Sequence, residues 1–170
     1  MKALFVIDML NDFVNPAGKL YIGESGRRIV PFIKERVHEF RKEGKVFYIC
    51  DAHSEDDKEF KDWPPHASKG SWGAKVIDEI APQPEDILVE KKTYDGFIET
   101  QLKDILEKEK INEIYVVGVL TNICVLYTSA HAKMLGYPVK VYKDGCASIT
   151  EEKHKWALKE MSESLKIEIL

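Results

Sequence analysis

Short apolar runs of strand length alternate along this chain with segments of helical hydrophobic period, and that alternation restricts the fold more than any other feature. Ala3–Met9 is a continuous apolar run broken near its end by Asp8, as expected of a central parallel strand covered on both faces. Lys45–Asp51, Asp86–Glu90, Ile114–Val117, Val139–Tyr142 and Lys166–Leu170 read as five further strands. Between them, Arg28–Lys42 carries Ile29, Phe32, Ile33, Val37 and Phe40 at helical spacing, with Gly44 expected as its C′ glycine. Ala74–Ile80, Phe97–Lys110, Asn122–Leu135 and Glu151–Met161 read as the other helices. The order predicts an α/β fold of three layers, doubly wound around a six-stranded parallel sheet. Functional groups in such sheets gather outside the carboxyl ends of the strands.

At 170 residues, with no repeat, linker or low-complexity tract, the chain is expected to form one domain over 1–170. A net charge of −4 gives no electrostatic basis for binding nucleic acid or an anionic membrane. No apolar run approaches membrane-spanning length, and the first strand starts too soon to leave room for a signal peptide. Cys50, Cys124 and Cys146 are too few and too irregularly spaced for a disulfide framework. A cytoplasmic protein is expected. No glycine-rich phosphate-binding motif follows the first strand, which removes support for nucleotide binding. Exposed aromatic and helical faces permit a homo-oligomer without specifying one.

Asp8, Asp51, Lys91 and the turn before Cys124 all fall at carboxyl ends of predicted strands. Cys124 lies between the run Ile114–Val117 and a helix, a strand–turn–helix that can present a nucleophile. A thiol beside a helix N-terminus is expected to ionise more readily. Asp8 is either a cap on the following loop or a general base desolvated by the apolar strand before it. Lys91 and Lys92 are either a solvated pair or supply a cation between Asp8 and Cys124. Asp51 and His53 share one side of an extended segment; with Glu59 and His66 further along the same loop they form a donor set for a divalent metal. Zn²⁺, Fe²⁺ and Mn²⁺ all suit such mixed ligands. Phe13, Trp63, Tyr94 and Phe97 can wall a pocket for a flat ring, while Trp72 reads as structural. Ser25 reads as a helix N-cap, and Asp144–Ala147 as a supporting turn. Cys50 and Cys146 read as structural, and His38, His131 and His154 as surface or packing residues.

Five stretches together carry a family resemblance. They are Val6–Phe13, Asp51-Ala52-His53, Trp63-Pro64-Pro65-His66, Lys91–Phe97 and Gly118–Cys124. In order and at strand ends, they resemble the isochorismatase-like cysteine hydrolases, and within them the nicotinamidases, over nearly the whole chain. The resemblance implies an isochorismatase-like, Rossmann-like fold with Asp8, Lys91 and Cys124 as a catalytic triad. Lys91 is chosen over Lys92 because it stands three residues before Tyr94. It also implies a cis peptide bond between Val119 and Leu120, with the N–H groups of Leu120 and Cys124 as an oxyanion hole. Asp51, His53 and His66, with Glu59 as a further ligand, would hold the metal, with zinc expected before iron or manganese. Phe13 and Trp63 would sandwich the ring of a small aromatic amide, with Tyr94 as a further wall. The implied reaction is hydrolysis of nicotinamide to nicotinate and ammonia, a step of NAD salvage. The rivals are an amidohydrolase for an N-carbamoyl or pyrazinamide-like compound, a silent small-ligand binder, and isochorismate hydrolysis, which needs no metal loop. Leu120 stands where many relatives have a smaller residue and is expected to narrow the pocket.

Overall fold

In a computed structural model covering residues 1–170, six parallel strands form one sheet. They are β1 (Lys2–Ile7), β2 (Lys45–Asp51), β3 (Ile87–Lys91), β4 (Glu113–Val119), β5 (Val139–Ala147) and β6 (Glu168–Ile169), in the order β3-β2-β1-β4-β5-β6. Chain order runs outward in opposite directions from β1 and β4, so the topological switch point lies between these two strands. Alternate residues of β1 explain the layering. Ala3, Phe5 and Ile7 face a core shared with α4 (Leu102–Lys108), α5 (Leu126–Met134) and α6 (Glu151–Glu163). Leu4 and Val6 face the opposite core, where Ile33, Val37 and Phe40 of α3 (Val30–Glu43) pack. Two short helices, α1 (Asn11–Val14) and α2 (Glu24–Arg28), precede α3. No helix is long and apolar enough to cross a membrane.

Several element boundaries differ from the sequence-based expectation, each for a local reason. Asn11–Phe13, outside every helix expected from the sequence, belongs to α1. Ala74–Ile80 is not a helix beyond a single 3₁₀ turn at Asp78–Ile80, because Val76 instead bridges Leu10 in antiparallel fashion. The helix expected from Phe97 begins only at Leu102, since the Thr100 hydroxyl bonds the Gly96 carbonyl at 2.6 Å and accepts from the Leu102 N–H, closing a turn there. Asp144–Ala147 is not a turn but the end of β5. Ser25 is inside α2 rather than at its cap, which is Gly23.

Gly44 follows α3, yet its φ of −161° is extended rather than left-handed. Its role is close approach: a Cβ there would lie 2.4 Å from the Lys2 carbonyl oxygen. Gly118 is more tightly constrained. At φ +124° it sits beside Ile7 across the β1–β4 ladder, and a Cβ would meet the Ile7 carbonyl oxygen at 2.0 Å. This glycine lets the two strands at the switch point meet where Asp8 and the Cys124 turn emerge.

Candidate active site

Asp8 follows β1, Asp51 and Lys91 end β2 and β3, and their carboxyl-end positions bring the three side chains together under the sheet edge. All are almost fully buried. The Lys91 ammonium lies 2.5 Å from Asp51 Oδ1, 2.8 Å from Asp8 Oδ2 and 3.5 Å from Cys124 Sγ. Lys92 is exposed, and it is Lys91 that lies beside the two carboxylates and the sulfur. Asp8 Oδ1 accepts from the Asp51 N–H at 2.8 Å. Asp8 Oδ2 is buried without a well-directed hydrogen bond, because the ammonium points toward Asp51 and the sulfur. One carboxylate oxygen of Asp8, one of Asp51 and the Cys124 sulfur lie within 4.8 Å of one another.

The protonation states follow from burial and charge. Burial, then the Asp51 charge, raise Asp8 to about 6, against the lowering pull of Lys91. Burial alone would lower Lys91, but Asp51 and Asp8 outweigh it and hold the ammonium firmly charged. Burial pushes the Cys124 thiol well above its ordinary range despite Lys91. The expected easy ionisation by a helix dipole is therefore not found. Cys124 sits inside a wide π-type turn, Thr121–Val125, that precedes α5 rather than opening it. Burial thus favours a neutral thiol, set beside the Asp8 carboxyl group and a fixed cation.

The peptide between Val119 and Leu120 is cis. The Leu120 carbonyl accepts from the Ile123 and Val125 N–H groups, while the Leu120 N–H donates to no protein group. Cys124 follows within the same turn.

The second cluster lies on the other side of Asp51. His53 Nε2 is 3.5 Å from Asp51 Oδ2 and 3.9 Å from Glu59 Oε1; His66 Nε2 is 3.9 and 3.6 Å from the same two oxygens. Four donors at about 2.0–2.2 Å from one ion in tetrahedral array stand roughly 3.3–3.6 Å apart, so this set fits a divalent ion with slight contraction. His53 Nε2 is also buried without a hydrogen-bond partner, as a nitrogen kept for a metal would be. The opposite ring nitrogens are held: His53 Nδ1 by Asp57 at 3.0 Å, and His66 Nδ1, which donates to the Pro64 carbonyl at 2.8 Å. Asp51 therefore serves both clusters, one oxygen toward Lys91 and the other toward the histidines.

A cavity of about 260 Å³ joins them, with Asp8, Cys124, Asp51, Glu59 and His66 in its lining. Phe13, Trp63, Tyr94 and Leu120 also line it. The Trp63 indole N–H donates to the Tyr94 hydroxyl at 3.0 Å, which fixes that wall. Phe97 is not in the wall. It is buried in the core against the His131 ring, 4.7 Å away. Trp72 is half exposed and lies outside the cavity. Lys19, Leu20, Tyr21, Ile22, Ile123 and Ile149 also line it and escaped the sequence reading, and Val119 completes the lining. The apolar run Leu20–Ile22 inside an otherwise polar loop was their one visible signal. Asp12 was also missed as a brace: its carboxylate accepts from the Lys19 and Ala67 N–H groups, tying the histidine loop to α1.

A model of the isochorismatase domain matches residues 2–167. The chain belongs to the isochorismatase family. Its relatives in that family include the Bacillus subtilis protein PncA, described as an uncharacterized isochorismatase family protein, 37% identical over 96% of each chain. Among solved family structures, pyrazinamidase/nicotinamidase of Streptococcus mutans is 31% identical with a TM-score of 0.94, covering 100% of both chains. Pyrazinamidase of Pyrococcus horikoshii, solved in complex with zinc, is 30% identical with a TM-score of 0.92, covering 99% of this chain and 98% of that one. The six-stranded parallel sheet is thus an isochorismatase-like fold along its full length.

Proposed function

We propose that this isochorismatase-family chain is an amidohydrolase that converts nicotinamide to nicotinate and ammonia through a thioester on Cys124. The observation that carries the reading is one cavity lined both by the Asp8–Cys124 pair beside Lys91 and by the Asp51, Glu59 and His66 edge of a metal-fitting cluster. Relatives described as pyrazinamidase/nicotinamidase, and as a pyrazinamidase in complex with zinc, support it.

Asp8 accepts the Cys124 proton as the sulfur attacks the carboxamide carbon, so the thiolate forms only as the S–C bond does. Lys91 stays charged throughout and offsets Asp51 together with Asp8 whenever Asp8 is ionised. The N–H groups of Leu120 and Cys124 receive the carbonyl oxygen as it gains charge. The C–N bond breaks with Asp8 returning its proton to the nitrogen, which leaves as ammonia. Water then adds to the thioester carbon, giving one proton to Asp8, and the sulfur departs with that proton. Asp51, His53, Glu59 and His66 would hold a divalent ion, Zn²⁺ before Fe²⁺ or Mn²⁺, which supplies a Lewis acid for a ring nitrogen. Phe13 and Trp63 orient the flat ring, and the apolar lining excludes bulk water.

Lys19 at the cavity lining favours a second reading, an N-carbamoyl substrate whose carboxylate would meet this cation. Ammonia release from nicotinamide, pyrazinamide and an N-carbamoyl amino acid, before and after chelation and with metal returned, decides between them. The first reading expects turnover of the two ring amides, lost on chelation and recovered with metal. Turnover of the N-carbamoyl compound alone by fully metallated protein would sink it.

A further inference from the structure

The turn carrying Cys124 is held from a side that neither cluster uses. Thr121, three residues before the cysteine, is fully buried, and its hydroxyl lies 2.8 Å from His154 Nδ1 in the first turns of α6. The neighbouring Asn122 accepts from the Ser148 hydroxyl at 2.7 Å, and the Ser148 carbonyl accepts from the Ser25 hydroxyl of α2 at 2.9 Å. Consecutive residues of the turn are thus gripped by the β5–α6 connection and by α6 itself. The imidazole is not needed to start α6, because Thr150 already caps it by accepting from the Lys153 N–H at 3.3 Å. Nor does His154 line the cavity. Burial keeps its ring toward the neutral form, in which Nδ1 accepts the Thr121 hydroxyl proton.

We propose that His154 is a positioning residue for the Cys124 turn, acting through Thr121 to hold the thiol beside Asp8 and Lys91 and the Leu120 N–H toward the cavity. The proposal rests on the reading of Cys124 as nucleophile. It assigns a role in the reaction to a histidine that is outside the cavity and that reads as a packing residue in sequence. A buried hydroxyl that loses its partner drives the turn to seek another, and a displacement of the thiol by about 1 Å costs on the order of a hundredfold in rate.

The test uses His154→Leu, His154→Asn, Thr121→Val and the double variant Thr121→Val/His154→Leu in the full chain loaded with metal. For each, kcat and KM for ammonia release are measured, together with melting temperature and the rate at which iodoacetamide alkylates Cys124, located by peptide mass spectrometry. His154→Leu is expected to lower kcat roughly ten- to a hundredfold with KM within about twofold, and His154→Asn, whose Oδ1 stands in for Nδ1, to restore most of that loss. The double variant is expected to be no slower than His154→Leu alone, since both changes remove one hydrogen bond. Equal kcat for the Asn and Leu variants at equal melting temperature, or losses that multiply in the double variant, would overturn the proposal. If His154→Leu does not fold, the same decision falls to Thr121→Val against His154→Asn: a kcat loss in the first and near-wild-type kcat in the second support it, and equal kcat overturns it. Alkylation separates this from the substrate reading. Slower Cys124 alkylation in His154→Leu, recovered in His154→Asn, supports positioning even where nicotinamide is inert, whereas alkylation unchanged across the variants overturns it.

Discussion

Lys91→Met removes the ammonium that stands between two buried carboxylates. The cation is 2.5 Å from Asp51 and 2.8 Å from Asp8, and the three side chains are 0–4% exposed. Removing one partner from such a group costs roughly 3–5 kcal/mol, because the remaining charges are left buried and uncompensated. For a chain of 170 residues each kcal/mol moves the melting temperature by roughly 2–4 °C, giving an expected fall of roughly 6–20 °C. Its pH dependence has a definite sign. Asp8 is already raised to about 6 by burial and Asp51 with Lys91 still opposing the shift, so without the cation its folded pKa climbs further. A carboxyl raised above its unfolded value of about 3.9 favours the folded state at low pH, and that contribution is lost as pH rises through the folded pKa. The gap between wild type and variant is therefore widest at pH 8 and narrows at pH 5. Thermal melts of the two metal-free proteins at both values measure it. A gap that is the same at both, or wider at pH 5, would refute the reasoning.

Three further outcomes are expected. The acid limb of kcat/KM falls through about pH 6 as Asp8 gains a proton, with activity present above and lost below; a profile flat to pH 4.5 would remove Asp8 as the base. Returning Zn²⁺ to chelated protein at about 100-fold over its dissociation constant should stabilise the fold by about 2.7 kcal/mol, seen as a rise in melting temperature that His53→Ala abolishes. Gly118→Ala, which forces a Cβ to 2.0 Å from the Ile7 carbonyl oxygen at φ +124°, should cost roughly 2–6 kcal/mol in denaturant unfolding.

The cluster at the strand ends was legible because each member closes an apolar run. Parallel strands send their carboxyl ends to one edge, so Asp8, Asp51 and Lys91 had to meet there once the strands were recognised. His53 and His66 were legible by donor type within one loop. What escaped depends on contacts between distant segments. Leu20–Ile22 and Ile149 reach the cavity from loops without periodicity, and nothing in their spacing announces the approach. Phe97 has the residue type of a pocket wall, but the Thr100 turn and the Asp95–His131 contact at 2.6 Å turn its loop so that it packs into the core. The thiol was misjudged because a helix terminus is visible in sequence while the depth of burial is not, and burial outweighs the cation in setting its ionisation. The link from His154 to Thr121 spans 33 residues and two structural elements, beyond any local pattern.

The central claim, that Cys124 carries the acyl group, is tested most directly by acid-quenching the protein during turnover of nicotinamide and mapping the adduct by peptide mass spectrometry. The account predicts a nicotinoyl thioester on the Cys124 peptide, absent from Cys50 and Cys146, and no ammonia from Cys124→Ala. Continued ammonia release by folded, metal-loaded Cys124→Ala would contradict it.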